Sequence, residues 1–176
     1  APLRQHPIHL DLRIQADTEC PHCGYNLRGL TFDHNCPECG KPVLESVRAV
    51  VRHRGIESLR ARLEQLGPGM GIYPDALELV LAALSVARMS SGEGPGKLER
   101  QHVTPAQICA ALREYAKYHL GSASDATLGL EAVGITRSED VGRVIEALIK
   151  AGLVYRGPDD DVQGFAGLFT LDDLYA

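Results

Sequence analysis

Near the N-terminus, Ile8, Leu10, Leu12 and Ile14 alternate with His9, Asp11, Arg13 and Gln15, a period of two that predicts a strand with one buried face. From Leu44 the period changes. Leu44, Val47 and Val51, then Ile56, Leu59, Leu63 and Leu66, recur at helical spacing on either side of Gly55, which predicts a helix in two pieces. Gly67-Pro68-Gly69-Met70-Gly71 interrupts the pattern as a linker does. Beyond it, Tyr73-Pro74-Asp75 puts a proline in the first turn of a helix whose apolar run, Leu77 to Leu84, predicts burial on most sides. Ser90 to Lys97 is a loop by composition.

Capping chemistry sets the next boundaries. Thr104-Pro105-Ala106-Gln107 is a capping box with proline at the first helical position, and Ile108, Leu112, Tyr115, Ala116 and His119 follow on one face up to Gly121. A shorter helix is expected over about Asp125 to Val133, with Gly129 inside it. Thr136-Arg137-Ser138-Glu139 opens a further helix with Val141, Val144, Ile145 and Leu148 on its inner face, closed by Gly152. Leu153-Val154-Tyr155 reads as a strand, Gly157 to Asp161 as a turn, and Phe165 to Leu171 as a returning strand. Helices followed by such a hairpin resemble a winged helix.

Composition narrows the class. Hydrophobic residues are 44% and charged residues 23% of 176, globular proportions that argue against disorder. Aromatic residues are only 5%, with no Trp, so aromatic base-stacking platforms are not expected. No apolar run approaches the roughly 20 residues of a membrane span, and Ala-Pro-Leu-Arg-Gln-His-Pro lacks the form of a secretory signal. A cytoplasmic protein is the expectation. Residues 1–66 carry nine Lys or Arg against eight Asp or Glu, whereas 67–176 carry nine against fifteen, so the acidity belongs to the second part.

Cys20-Pro21-His22-Cys23-Gly24 and Cys36-Pro37-Glu38-Cys39-Gly40 carry the clearest chemistry. Two residues between cysteines let one tight turn aim both sulfurs at a single ion, and the excursion between the pairs is long enough to bring the turns together. Each pair is followed by a glycine able to take the positive φ such turns require. The spacing points to one ion, zinc or less readily iron, held by Cys20, Cys23, Cys36 and Cys39. Four protein thiolates close the shell, so the ion's role is structural; His22 and His34 are left outside it.

These two knuckles resemble a zinc ribbon over about residues 8 to 45. Cys23-Gly24-Tyr25 with Cys36 to Gly40 is also similar to rubredoxin, which implies iron and electron transfer, although the excursion here is short and Trp is missing. Taken together, Cys20 to Gly40 with Tyr25-Asn26-Leu27-Arg28-Gly29-Leu30, and His102-Val103, Gly134-Ile135 and Ala151-Gly152-Leu153, resemble an uncharacterised bacterial family largely confined to planctomycetes and verrucomicrobia. That resemblance implies a lineage and a soluble domain, without a mechanism. The expected fold is α+β and mainly helical: a zinc ribbon with its strand over 1–45, a helical connector and linker over 46–71, and a mainly helical, winged-helix-like domain ending in a β-hairpin over 72–176.

Arg48, Arg52, Arg54, Arg60 and Arg62 beside His53 form the basic concentration of the chain, interrupted by Glu45, Glu57 and Glu64. With Arg28 at the ribbon's tip, they are where a nucleic-acid or ribonucleoprotein contact would fall; a solvated helix face is the alternative. Glu139, Asp140 and Glu146 oppose Arg143 and Lys150 on the helix a winged helix would use to read DNA, and Asp159-Asp160-Asp161 would occupy the wing tip. The second part therefore reads better as protein-binding. Cys109 reads as a buried inert thiol, His102 and His119 lack triad partners, and no phosphate-binding glycine loop occurs, so the chain reads as no enzyme. The expected function is a metal-binding adaptor docked on a nucleic-acid or ribonucleoprotein assembly while its acidic part recruits protein. A purely protein-binding module with a zinc clip, or a rubredoxin-like carrier, stands as the alternative.

Overall fold

The computed structural model describes residues 13–15, 17–32, 34–45, 61, 64–65, 71–91, 103–154, 156 and 161–176. The apolar run after the linker becomes α1 (Pro74–Ser90), entered through Pro74 with Asp75 in its first turn. No residue of α1 from Ala76 onward is exposed, and Val80, Ala82, Ala83, Val86 and Ala87 are fully buried. A helix apolar on every side must be wrapped by others. α2 (Pro105–Leu120) supplies the broadest contact with it, and α4 (Ser138–Lys150) a smaller one.

α2 begins as its capping box requires, with Gln107 N–H donating to Thr104 Oγ1 at 3.2 Å and Thr104 N–H to Gln107 Oε1 at 2.8 Å. It ends at Gly121, whose φ of 101° is left-handed. α3 (Ala123–Ala132) starts earlier than expected because Ser122 caps it, accepting from Asp125 N–H at 3.0 Å. Gly129 lies on the side of α3 that meets Leu120 of α2; a Cβ there would run into the leucine's methyl, so the residue that weakens the helix permits its packing.

Val141, Val144, Ile145 and Leu148 of α4 are buried as the periodicity predicts. Leu153 N–H donates to Leu148 O at 2.9 Å and Gly152 N–H to Ile149 O at 3.0 Å, the paired bonds of a Schellman ending. Val154 N–H turns to Leu148 O as well. The expected strand at 153–155 is corrected at its first two residues, whose N–H groups finish the helix and have nothing left to donate to a ladder; Tyr155 lies outside the described residues. The returning strand at 165–171 also fails to form. Val162–Phe165 is a 3-10 turn, and Phe165 packs over Gly142 of α4. Gly167 N–H then donates to Glu139 Oε1, and Leu168 and Phe169 N–H to Ser138 Oγ, so side chains at the start of α4 take the bonds a hairpin partner would use. Thr170 makes a single antiparallel bridge with Arg137, and α5 (Leu171–Leu174) closes the chain. Thus the described part is mainly helical and contains no continuous sheet; the turn at 157–160 lies outside it.

The cysteine segment is bridged rather than stranded, by Arg13 with Thr31, Glu19 with Asn26 and Asn35 with Pro42. Most of the N-terminal strand reading, 8–12, and most of the two-piece helix over 44–66 lie outside the described residues; Leu44, Glu45, Ala61, Glu64 and Gln65 are helical. Ile14, Leu27, Phe32, Val43 and Leu44 are buried and belong to the same core cluster as the helices. Gln15 N–H donates to Met89 O at 3.2 Å, joining the segment to the last turn of α1.

Candidate metal centre

The two knuckles repeat one backbone pattern. Gly24 N–H donates to Cys20 O at 2.8 Å and Gly40 N–H to Cys36 O at 2.9 Å, while Cys20 N–H reaches Tyr25 O at 2.8 Å and Cys36 N–H reaches Lys41 O at 2.7 Å. Both turns need a residue at positive φ, and Gly24 at 76° and Gly40 at 72° supply it. Below them, the fully buried Ile14 and Leu27 fix the first knuckle's base, with Leu27 N–H on Thr18 O at 2.8 Å and Ile14 N–H on Leu30 O at 2.9 Å. Val43 N–H on His34 O at 2.9 Å ties down the second. Asn26 completes the excursion by accepting from the N–H groups of Thr18 and Arg28 and donating to Asp17 at 2.9 Å.

This scaffold brings the Sγ atoms of Cys20, Cys23, Cys36 and Cys39 within 4.8 Å of one another. Cys23 Sγ lies 3.6 Å from Cys36 Sγ, and Cys20 Sγ 3.7 Å from Cys39 Sγ. A tetrahedral ion with bonds of about 2.3 Å separates its sulfurs by about 3.8 Å, so the cluster has the dimensions of a tetrathiolate cage. All four cysteines are free thiols, and no His or carboxylate joins the group among the described residues. His22 Nε2 instead faces Glu45 Oε2 at 3.1 Å, and His34 Nδ1 bonds Thr31 Oγ1.

The electrostatics of the bare thiols favour a cation. Burial pushes Cys36 up, but N–H groups of Cys39 and Glu38 and the thiols of Cys23 and Cys39 outweigh it and bring the group down to about 7. The Tyr25 N–H pulls Cys23 down, yet desolvation and the three neighbouring thiols push it up to about 12. Lys41 N–H likewise pulls Cys39 down and is overcome by desolvation and the thiols of Cys20 and Cys36. Cys36 accepts negative charge readily, whereas Cys23 and Cys39 take it up fully only beside a positive ion. The backbone donors at Tyr25, Glu38, Cys39 and Lys41 follow from the repeat of the turns, although no residue type announces them.

Arg28 is exposed and sits 3.5 Å from Asp17. Arg48, Arg52, Arg54, Arg60 and Arg62 lie outside the described residues, as does His102. Cys109 is fully buried, and burial with the Glu139 charge pushes its thiol up to about 12. His119 stacks on Tyr115 with ring centroids 5.8 Å apart. Among the described residues no helix is long and apolar enough to cross a membrane. Neither family models, nor curated proteins, nor solved structures contain a match to this chain.

Proposed function

We propose that the chain is a non-enzymatic, metal-clipped interaction module. One zinc ion held by Cys20, Cys23, Cys36 and Cys39 organises a zinc ribbon, and the helical part presents a surface to a protein partner in the reducing cytoplasm. The convergence of four sulfurs within 4.8 Å carries this reading. A closed shell of four thiolates leaves no position for a water nucleophile, so the ion contributes folding free energy and not chemistry.

The exposed stripe of α4 favours a protein over a duplex. It consists of Glu139, Arg143, Glu146 and Lys150. Arg143 is paired with Asp140 at 2.5 Å and Lys150 with Glu146 at 3.3 Å, so the stripe has no surplus of cations for phosphates.

Elemental analysis of the purified chain tests the metal reading: one zinc per chain is expected, and a folded 13–45 segment without metal overturns it. A red, reversibly reducible iron form would turn the reading toward electron transfer. Binding to nonspecific duplex or single-stranded nucleic acid is expected to be negligible at physiological salt. A salt-dependent association abolished by neutral substitutions at Arg48, Arg52, Arg60 and Arg62 would make nucleic acid the partner instead.

A further inference from the structure

The four thiols differ in their access to solvent. Cys20 and Cys36 are buried, at 4% and 2% exposure, and Cys39 is half-buried, whereas Cys23 stands exposed between the exposed His22 and Gly24. The sulfur of Cys23 lies 3.6 Å from that of the buried Cys36, close enough for the two to join. Susceptibility of a thiol to oxidation follows exposure and thiolate character, and metal ligation keeps the sulfur deprotonated. Resting on the metal reading above, we propose that the cluster is a hydroperoxide-responsive switch: oxidation at Cys23 produces a Cys23–Cys36 disulfide and expels the ion.

The Cys23 thiolate attacks one peroxide oxygen; the O–O bond breaks, an S–O bond forms and hydroxide departs. The Cys36 thiolate then attacks Cys23 Sγ; the S–S bond forms, the S–O bond breaks and a second hydroxide departs. The two thiolates lose two electrons and the peroxide gains them. Cys20 and Cys39 are left as half of a shell, too few sulfurs to hold the ion. Reduction of the disulfide by a dithiol restores the site.

The test uses the full chain and its Cys109→Ala variant, which removes the thiol outside the cluster; both are loaded with zinc and their metal content is measured first. Hydrogen peroxide is added while a chromogenic chelator follows the ion, thiols are counted, and the crosslink is mapped by peptide mass spectrometry without reduction. Expected in both proteins are release of the ion together with loss of two thiols, a mass decrease of about 2 Da from the lost hydrogens, a Cys23–Cys36 linkage, and renewed zinc uptake after dithiothreitol. Retention of the ion, release accompanied only by sulfinic or sulfonic acids, or a Cys20–Cys39 linkage would overturn the switch while leaving the metal site intact. A chain that takes up no zinc at the outset overturns the metal reading, and the switch falls with it.

Discussion

Asp140 illustrates how much a single side chain organises. Its carboxylate accepts from Thr136 N–H at 2.9 Å, Thr136 Oγ1 at 3.0 Å, Arg137 N–H at 3.2 Å and Arg143 Nη2 at 2.5 Å, with the side chain 8% exposed. Burial raises its pKa, but the Thr136 bonds and Arg143 outweigh burial and hold the group below its ordinary 3.8. The unfolded chain therefore takes up the proton first as pH falls; the stabilisation is present above the ordinary 3.8 and is lost as pH falls below it through the lower folded pKa. Asp140→Asn is expected to cost about 1–3 kcal/mol at neutral pH, since an amide cannot satisfy four donors, and to flatten the acid limb of the stability curve measured by urea titration. At the knuckles, Gly24→Ala or Gly40→Ala meets no neighbour, so the penalty is conformational, about 1–2 kcal/mol from positive φ, read as weaker zinc binding in a chelator competition. The cysteines were legible because their chemistry is local and their spacing short. Asp140 was not, because an acid among Glu139, Arg143 and Glu146 has the pattern of a solvated face and its partners appear only when the turn before α4 closes on it.

One helix obeyed its cap as read, whereas the signature at Thr136 to Glu139 did not close: α4 begins at Ser138 behind Arg137, and Glu139 accepts from Gly167 instead. Thr104, Gln107 and Gly121 delimit α2 in sequence and structure alike, and Thr104→Ala is expected to lower the thermal midpoint by an amount equivalent to about 1 kcal/mol, measured calorimetrically. Ser122, with Asp125 three residues on, carried the same kind of signal for α3 and went unread, which displaced that boundary. The two strand expectations near the C-terminus failed for a different reason. Residues at 153–155 and 165–171 have the composition of a ladder, but the N–H groups of Leu153 and Val154 are claimed by the Leu148 carbonyl of α4's last turn and those of Gly167, Leu168 and Phe169 by Glu139 and Ser138 at its first. Side-chain capture across such sequence distance leaves no periodicity to read. Ser138, fully buried, is consequently a strong test: Ser138→Ala orphans the N–H groups of Leu168 and Phe169, costing about 1–3 kcal/mol, and amide exchange should accelerate selectively at 167–170.

For the molecule as a whole, metal and fold are expected to be linked but unequal in reach. Chelation should remove the ordered structure of 13–45, whose core contribution is small, while α1, α2 and α4 keep their helicity through their shared apolar contacts; circular dichroism and amide exchange before and after chelation check this. Lower pH acts in the same direction as chelation, because each ligand must be deprotonated to bind. The bond from Gln15 N–H to Met89 O has a kinetic side. The knuckles and α2 are closed by partners nearby in sequence and form early, but this bond spans the whole connector and α1 and must await them, since long loops close late and at an entropic cost. Refolding by dilution from denaturant with zinc present should consequently show a fast phase in helical signal and a slower one in Gln15 protection, and shortening the chain between the two sites should speed only the second.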